Sequence, residues 1–296
     1  MKITHLRNNA IDKERWDRCI AQSNNQLTYA YSWYLDVVSP QWEALVGNDY
    51  EHVMPLPVKR RYKVPYLVQP ILTQQLGIFS TSKINENLVE NFIKQIPYFS
   101  YELNLNEHNF YSKALIYPNF LLNLEQTYSK IAAAYSKNTV RNIRKAKKLE
   151  LKIQVEFPKD EFLEFYSTIE KQFISIRHSV LEKLLKTGIK KNALTIYGVR
   201  SADNELIAGL CLLHSENRLT YLLPVSSEKG KASSAMFLLI DHLINTEAGK
   251  NKIFDFEGSQ IEGIARLYKG FGAKNHPYFI LKRFRPSFLI NNTKTE

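Results

Sequence analysis

Three apolar runs follow one another closely in the second half of this chain: Ala193–Arg200, Leu206–His214 and Arg218–Val225. Asp203-Asn204 and Ser215-Glu216-Asn217 supply the turns between them, because short polar side chains bond to their own backbone there. The runs therefore read as three successive strands. Leu151–Phe157 reads as an earlier strand. Asp160–Phe173 follows as a helix with Leu163, Tyr166, Ile169 and Phe173 inward, and Ser179–Lys186 as a shorter helix capped by Ser179. Downstream come a helix at Lys231–Asn245, a strand at Ile253–Glu257, a helix at Ile261–Lys269 and a strand at Tyr278–Phe284. Residues 151–284 thus spell β-α-α-β-β-β-α-β-α-β.

Upstream, Leu124, Tyr128, Ile131, Tyr135, Thr139 and Ile143 recur at steps of three and four, which predicts one long amphipathic helix ending in RNIRKAKK. The first 120 residues are mixed. Asp12 can cap a helix that presents Trp16 and Ile20. Trp42–Val46 and Tyr50–Val58 form a strand pair around Gly47-Asn48-Asp49. Lys83–Gln95 has Ile84, Leu88 and Phe92 at helical spacing, and Phe99–Leu105 alternates as a strand.

At 296 residues with 44% hydrophobic side chains, the chain can build two cores, which excludes global disorder. The net charge of +11 is uneven. Residues 1–120 hold 12 basic and 11 acidic side chains, a net of +1, and residues 121–296 hold 28 and 18, a net of +10. Lys137 to Lys152 carries seven basic groups against Glu150 alone. Such a patch suits an anionic ligand: a phosphate, a nucleotide, a nucleic acid or a headgroup. The start, MKITHLRNNA, lacks the apolar core of a signal peptide, and no window nears the ~18 apolar residues of a membrane span. Cys19 and Cys211 are far apart and read as free thiols in a reducing, cytoplasmic compartment. The histidines show no ligand spacing, so no metal is expected.

The element order is that of the GNAT acyltransferases, and three segments resemble the Fem-like branch of that superfamily, a largely bacterial group. They are YSKNTVRNIRKAKK at 135–148, IFDFEGSQIEGIARLYKGFGAK at 253–274 and VMPLPVKRRYKVPYLVQPILTQQLGIFS at 53–80. The resemblance implies an α/β (α+β) fold of two tandem GNAT-like lobes, mixed sheets flanked by helices, with substrate bound in the cleft. The boundaries are then 1–120 for a degenerate first lobe, 121–286 for the acyltransferase lobe and 287–296 for a tail that frays. The bridge-forming enzymes also insert a two-helix arm associated with tRNA handling, and Leu151–Phe284 leaves no residues for one.

The resemblance also places site residues. After Pro224, which removes a ladder N–H, the superfamily holds the CoA pyrophosphate on a Gly-rich turn. Gly230, Lys231, Ala232 and Ser233 stand there, with Ser227 in place of the usual Gln or Arg. A helix N-terminus of small residues favours an anion. An ordinary strand–helix turn would look the same. In Phe254-Asp255-Phe256-Glu257, alternation buries the phenylalanines and turns both carboxylates to the end of the strand. Acyl transfer to an amine needs a base for the ammonium proton. Asp255 or Glu257 suits that role; either can instead cap the next helix or pair with Arg266. Tyr268 matches the superfamily's acid for the departing group, or is a core residue with a wet hydroxyl. Lys269 matches a Fem-like position facing the oxyanion or a substrate phosphate. Arg141, Arg144, Lys145 and Lys148 share a helix side that can clamp phosphate or simply be solvated. Gln74 and Gln75 suit a polar lining of the first lobe.

The expected activity is transfer of an acyl or aminoacyl group from acyl-CoA, as a co-substrate rather than a bound cofactor, or from tRNA. The acceptor is an amine of a small, nucleotide-linked or cell-envelope-precursor molecule. Two other readings fit the same residues. One is a basic nucleic-acid-binding module, whose binding would fall steeply with salt, although no RNA-binding or helix-turn-helix signature is present. The other is an inactive fold that holds a nucleotide-linked ligand.

Overall fold

The computed structural model describes residues 1–169 and 176–283. Phe173 and the tail at 287–296 lie outside them. The chain divides into two compact units, Met1–Tyr117 with Pro277–Glu296, and Pro118–His276.

The first unit carries two sheets. One has the order β1-β2-β3-β6, from β1 (Ile3–Leu6), β2 (Glu43–Gly47), β3 (His52–Leu56) and β6 (Phe79–Ser80). The other has the order β4-β5-β7-β16-β8, from β4 (Val58–Arg61), β5 (Val64–Val68), β7 (Tyr101–Leu105), β16 (Tyr278–Arg283) and β8 (Leu115–Tyr117). Its helices are α1 (Lys13–Gln22), α2 (Ser32–Val38) and α3 (Glu86–Lys94). Asp12 caps α1 as expected, accepting from the N–H groups of Glu14 and Arg15. Asn48, Asp49 and Tyr50 turn the β2–β3 hairpin with positive φ.

The second unit is built on one sheet of order β10-β11-β12-β13-β14-β9-β15. Its strands are β9 (Phe120–Asn123), β10 (Lys152–Val155), β11 (Leu194–Arg200), β12 (Leu206–His214), β13 (Arg218–Ser226), β14 (Ile253–Asp255) and β15 (Lys274–Asn275). The three apolar runs are β11, β12 and β13, and they pair antiparallel as a meander. The helices are α4 (Tyr128–Ala133), α5 (Lys137–Lys148), α6 (Lys159–Ile169), α7 (His178–Lys190), α8 (Glu228–Ala232), α9 (Ala235–Glu247) and α10 (Glu262–Gly270). Phe120, Leu122, Ile143, Tyr221, Leu239, Phe254, Phe256, Tyr268 and Phe271 meet in one core, and each large side chain fully buried there contributes about 1.5–3 kcal/mol.

Four expectations need correcting. The long helix from Leu124 is two helices, because the Ser136 hydroxyl accepts from Thr139 N–H and starts α5 afresh. The helix expected over Lys231–Asn245 breaks at Ser234, whose φ of 60° is left-handed and whose hydroxyl donates to Asn142 Oδ1 at 2.8 Å. The second helix after β10 starts at His178 with Arg177 as cap, so Ser179 lies inside it. Finally, the strand at Tyr278 pairs with β7 and β8 of the first unit. The place expected for it in the second unit is filled by β15 and by β9, a strand the helical reading of Leu124 onward had passed over.

Candidate active site

The second unit's sheet has one parallel pair among its described strands. β13 and β14 run side by side over Arg218–Ile253, Leu219–Phe254 and Thr220–Asp255. β14 then ends while β13 continues to Ser226, bonded to β12. A bulge bends it at that point: Leu212 faces Tyr221 and Cys211 faces Leu223, which leaves Leu222 without an opposite residue. Pro224 follows on the same strand with no N–H to donate. The two strands therefore part after Thr220 and Asp255, and the next residues, Tyr221 and Phe256, pack their rings 6.0 Å apart in the core.

The first unit has the matching parallel pair, Leu67–Tyr101 and Val68–Glu102 in β5 and β7, but the chain closes it. Gln69 Oε1 takes the N–H of Asn104, the Leu76 N–H bonds to Asn104 O at 2.8 Å, and the Asn106 N–H bonds to Leu76 O at 3.0 Å. Gln74 and Gln75 belong to this plug. Gln75 is fully buried, donates to Gln74 Oε1 at 2.7 Å and accepts from Glu107 N–H at 3.0 Å. Its amide is engaged within the unit instead of lining a cleft.

Around the end of β14 the charges are ordered by burial. Asp255 is 1% exposed. Its Oδ2 accepts from Arg218 Nη1 at 2.8 Å, and its Oδ1 accepts from the Glu257 N–H at 2.8 Å. Asp255, expected as a candidate base, is thus a buried ion-pair partner that shapes the following turn. Arg266, the expected alternative partner, pairs with Glu262. Glu257 is half-buried and has a φ of 59°, a left-handed backbone that a glutamate holds only when its surroundings impose it.

Tyr268 of α10 is 8% exposed, its ring stacked on Phe256 at 4.9 Å. Burial pushes its phenol well above the usual range, and the negative charges of Glu257 and Asp255 push it further. The phenol therefore holds its proton at neutral pH. Lys269 is exposed, its ammonium 5.6 Å over the ring of Phe120. Phe120 in turn donates its N–H to Glu257 O at 3.1 Å. Glu257, Tyr268 and Lys269 are therefore brought together around β9 and β14.

The turn after β13 does not offer the expected cradle. The Gly230 N–H bonds to Ser227 Oγ at 3.1 Å, the Lys231 N–H to Ser227 O at 2.9 Å and the Ser233 N–H to Lys229 O at 2.9 Å. Lys231 pairs with Glu228, and Lys229 pairs with Glu205 and Asp203. The residues that would hold a CoA pyrophosphate, Gly230 to Ser233 with Ala232 among them, are engaged with their own segment and do not fit that group. Packing explains the glycine: a Cβ at Gly230 would lie 2.0 Å from Ile207 O. Gly230→Ala is expected to cost about 1–3 kcal/mol in chemical denaturation, as overpacking does.

The basic face of α5 borders a pocket. Tyr135, Lys137, Val140, Arg141, Arg144, Lys145, Lys148 and Leu149 line a pocket of about 750 Å³. Five of these are cations and none is acidic. Arg141 donates to Asn138 Oδ1 at 2.7 Å, which fixes its guanidinium along the helix. Lys147, on the other side, pairs with Asp241. The row begins where α10 ends, because the Ser136 N–H bonds to Gly270 O at 2.8 Å. Gly270 permits this close approach: a Cβ there would meet Thr139 Oγ1 at 2.5 Å. From Lys137 to Lys148 the row runs about 17 Å at 1.5 Å per residue. Lys148, read on the same helix side as Arg141, and Lys137, which opens the basic run, both line this pocket. Sequence reasoning missed Arg218 and Phe120. Only Arg218 left a signal, as a lone cation opening an otherwise apolar strand.

No protein-family model and no curated relative matches the chain. Solved structures match its fold over nearly the whole length. FemX aligns with a TM-score of 0.66 at 12% identity, covering 98% of this chain and 100% of its own. L-PGS from Bacillus licheniformis aligns at 0.57 and 10%, covering 95% and 96%. A tandem GNAT protein from the clavulanic acid biosynthesis pathway aligns at 0.52 and 9%, covering 94% and 97%. The fold is that of the tandem GNAT-like and Fem-type acyltransferases, as the sequence resemblance implied.

Proposed function

We propose that the second unit transfers an acyl or aminoacyl group directly onto the amine of a phosphate-bearing acceptor. The observation that carries this reading is the parting of β13 and β14 after Thr220 and Asp255, with Glu257 held in a left-handed turn and the buried Tyr268 ring stacked on Phe256 beside it. The acceptor's ammonium gives its proton to the Glu257 carboxylate. The nitrogen attacks the acyl carbon and a C–N bond forms. The bond to the leaving oxygen or sulfur then breaks as the Tyr268 phenol gives its proton to it and takes back the second proton that the new amide nitrogen sheds. Lys269 faces the oxyanion while charge develops. Arg141, Arg144 and Lys145 hold the acceptor's phosphate, arginine doing so with two parallel bonds. The occupied N–H groups at Gly230–Ser233 favour a donor held by something other than a pyrophosphate on that turn.

The test is a transfer assay pairing acetyl-CoA and aminoacyl-tRNA donors with UDP-linked amino sugars and peptides as acceptors. Appearance of an acylated amine with either donor supports the reading; no transfer with both would sink it. With an active pair in hand, the Arg141→Ala, Arg144→Ala double variant is expected to raise the acceptor KM at least tenfold. Its Tm should stay within a degree or two, since exposed side chains away from the core change stability by under about 0.5 kcal/mol. Equal losses in Tm with an unchanged KM would return the row to a solvated helix face.

A further inference from the structure

Asn119 is 0% exposed, and neither its side-chain nitrogen nor its side-chain oxygen has a hydrogen-bond partner. Its backbone, by contrast, is fixed on both sides. The N–H bonds to Asn275 Oδ1 at 3.1 Å, and the carbonyl accepts from His276 N–H at 2.7 Å. The next residue, Phe120, exchanges bonds with the site turn: its carbonyl accepts from Phe256 N–H at 2.9 Å and its N–H reaches Glu257 O at 3.1 Å. Asn119 therefore stands just before β9, beside the turn in which β14 leads through Glu257 to Gly258. A buried primary amide without partners is a standing cost, and folded proteins rarely keep one. Where one stays, its backbone fixed on both sides and beside a candidate base, the missing partner belongs to something that arrives.

We infer that Asn119 is a positioning residue for the acceptor amine, its Oδ1 accepting a second amine N–H while Glu257 takes the proton. Two acceptors on one nitrogen fix its remaining lone pair in direction, which is what attack on an acyl carbon requires. This rests on the acyl-transfer reading above, but it makes a claim about the amide alone, and binding can test it without turnover.

The experiment is titration of ¹⁵N-labelled protein with glycinamide, following side-chain amide signals by NMR and binding by calorimetry, in wild type, Asn119→Leu and Glu257→Gln. Asn119→Leu removes the amide and keeps the branched side-chain shape, so a merely structural orphan predicts unchanged glycinamide binding whatever the Tm does. The inference predicts binding weakened about tenfold, and movement of the one side-chain amide pair that the variant deletes. Should Asn119→Leu not fold, the shift of that pair in wild type, identified with Asn119→Ser, decides the matter. If Glu257→Gln alters binding while the Asn119 pair stays still, Asn119 has no such role and the site reading survives. If glycinamide perturbs neither, both readings fall.

Discussion

Glu257→Gln is expected to lower kcat by about 10²–10⁴, the contribution of a positioned base, while leaving donor affinity nearly unchanged. Gln keeps the size and hydrogen bonding of the side chain but cannot accept a proton. The loss should shrink as pH rises, because the acceptor amine, an ammonium near neutrality, then deprotonates without help. Steady-state rates across pH 6–10 measure both effects. Asp255→Asn separates the carboxylates. Asp255 already accepts from Arg218 and from the Glu257 backbone, so the variant should lose stability first and rate second. A normal rate in Glu257→Gln at every pH would make Glu257 a turn residue and leave the chemistry to another group.

Arg218→Met is expected to cost about 3–5 kcal/mol, because removing one partner of a buried ion pair leaves the other uncompensated. Arg218 and Asp255 are both buried. A buried carboxylate that has lost its cation shifts towards its protonated form in the folded chain. The sign follows. In the variant the folded state binds a proton that the unfolded state releases above its ordinary value near 3.9. The deficit is therefore small in acid and grows as pH rises through the neutral range. Urea denaturation at several pH values measures it. Adding Asp255→Leu should recover most of the stability by removing the orphaned charge. It should not recover activity, since Glu257 then loses the carboxylate that accepts its N–H. A pH-independent loss in Arg218→Met would mean that Asp255 finds another cation.

Much of the frame was legible because it rests on local signals. Turn formers between apolar runs announced the β11–β12–β13 meander, and Asp12 announced α1. The aromatic alternation in Phe254–Phe256 fixed which side of β14 faces the core. Glu257 was reachable through strand alternation, and Tyr268 and Lys269 through the resemblance to the Fem-like branch. What the sequence hid is non-local. Nothing near Tyr278 says that its strand will pair with residues 101–105 and 115–117 rather than with its neighbours. The fate of Asp255 depended on Arg218, 37 residues earlier. Gly230 matched a phosphate turn by spelling, whereas its neighbourhood with Ile207 makes it a packing residue. The break at Ser136 was the exception. A serine three residues before Thr139 is a local cap signal, and the continuous apolar stripe across it outweighed it.

The split of the first unit across the chain sets an order of assembly during synthesis. The second unit is contiguous from Pro118 to His276, whereas the first waits for β16. Phe279 and Leu281 of that strand complete a core with Leu103, Leu105 and Phe92. On a ribosome adding 5–20 residues per second, the interval between Tyr117 and Arg283 is roughly 8–33 s. Throughout it the first-made unit lacks an interior strand and exposes the flank of β7, while the later-made one can already close. The usual N-to-C sequence of domain maturation is thereby inverted, and a stop codon before residue 279 would leave the beginning of the protein, not its end, as the part that chaperones and proteases meet.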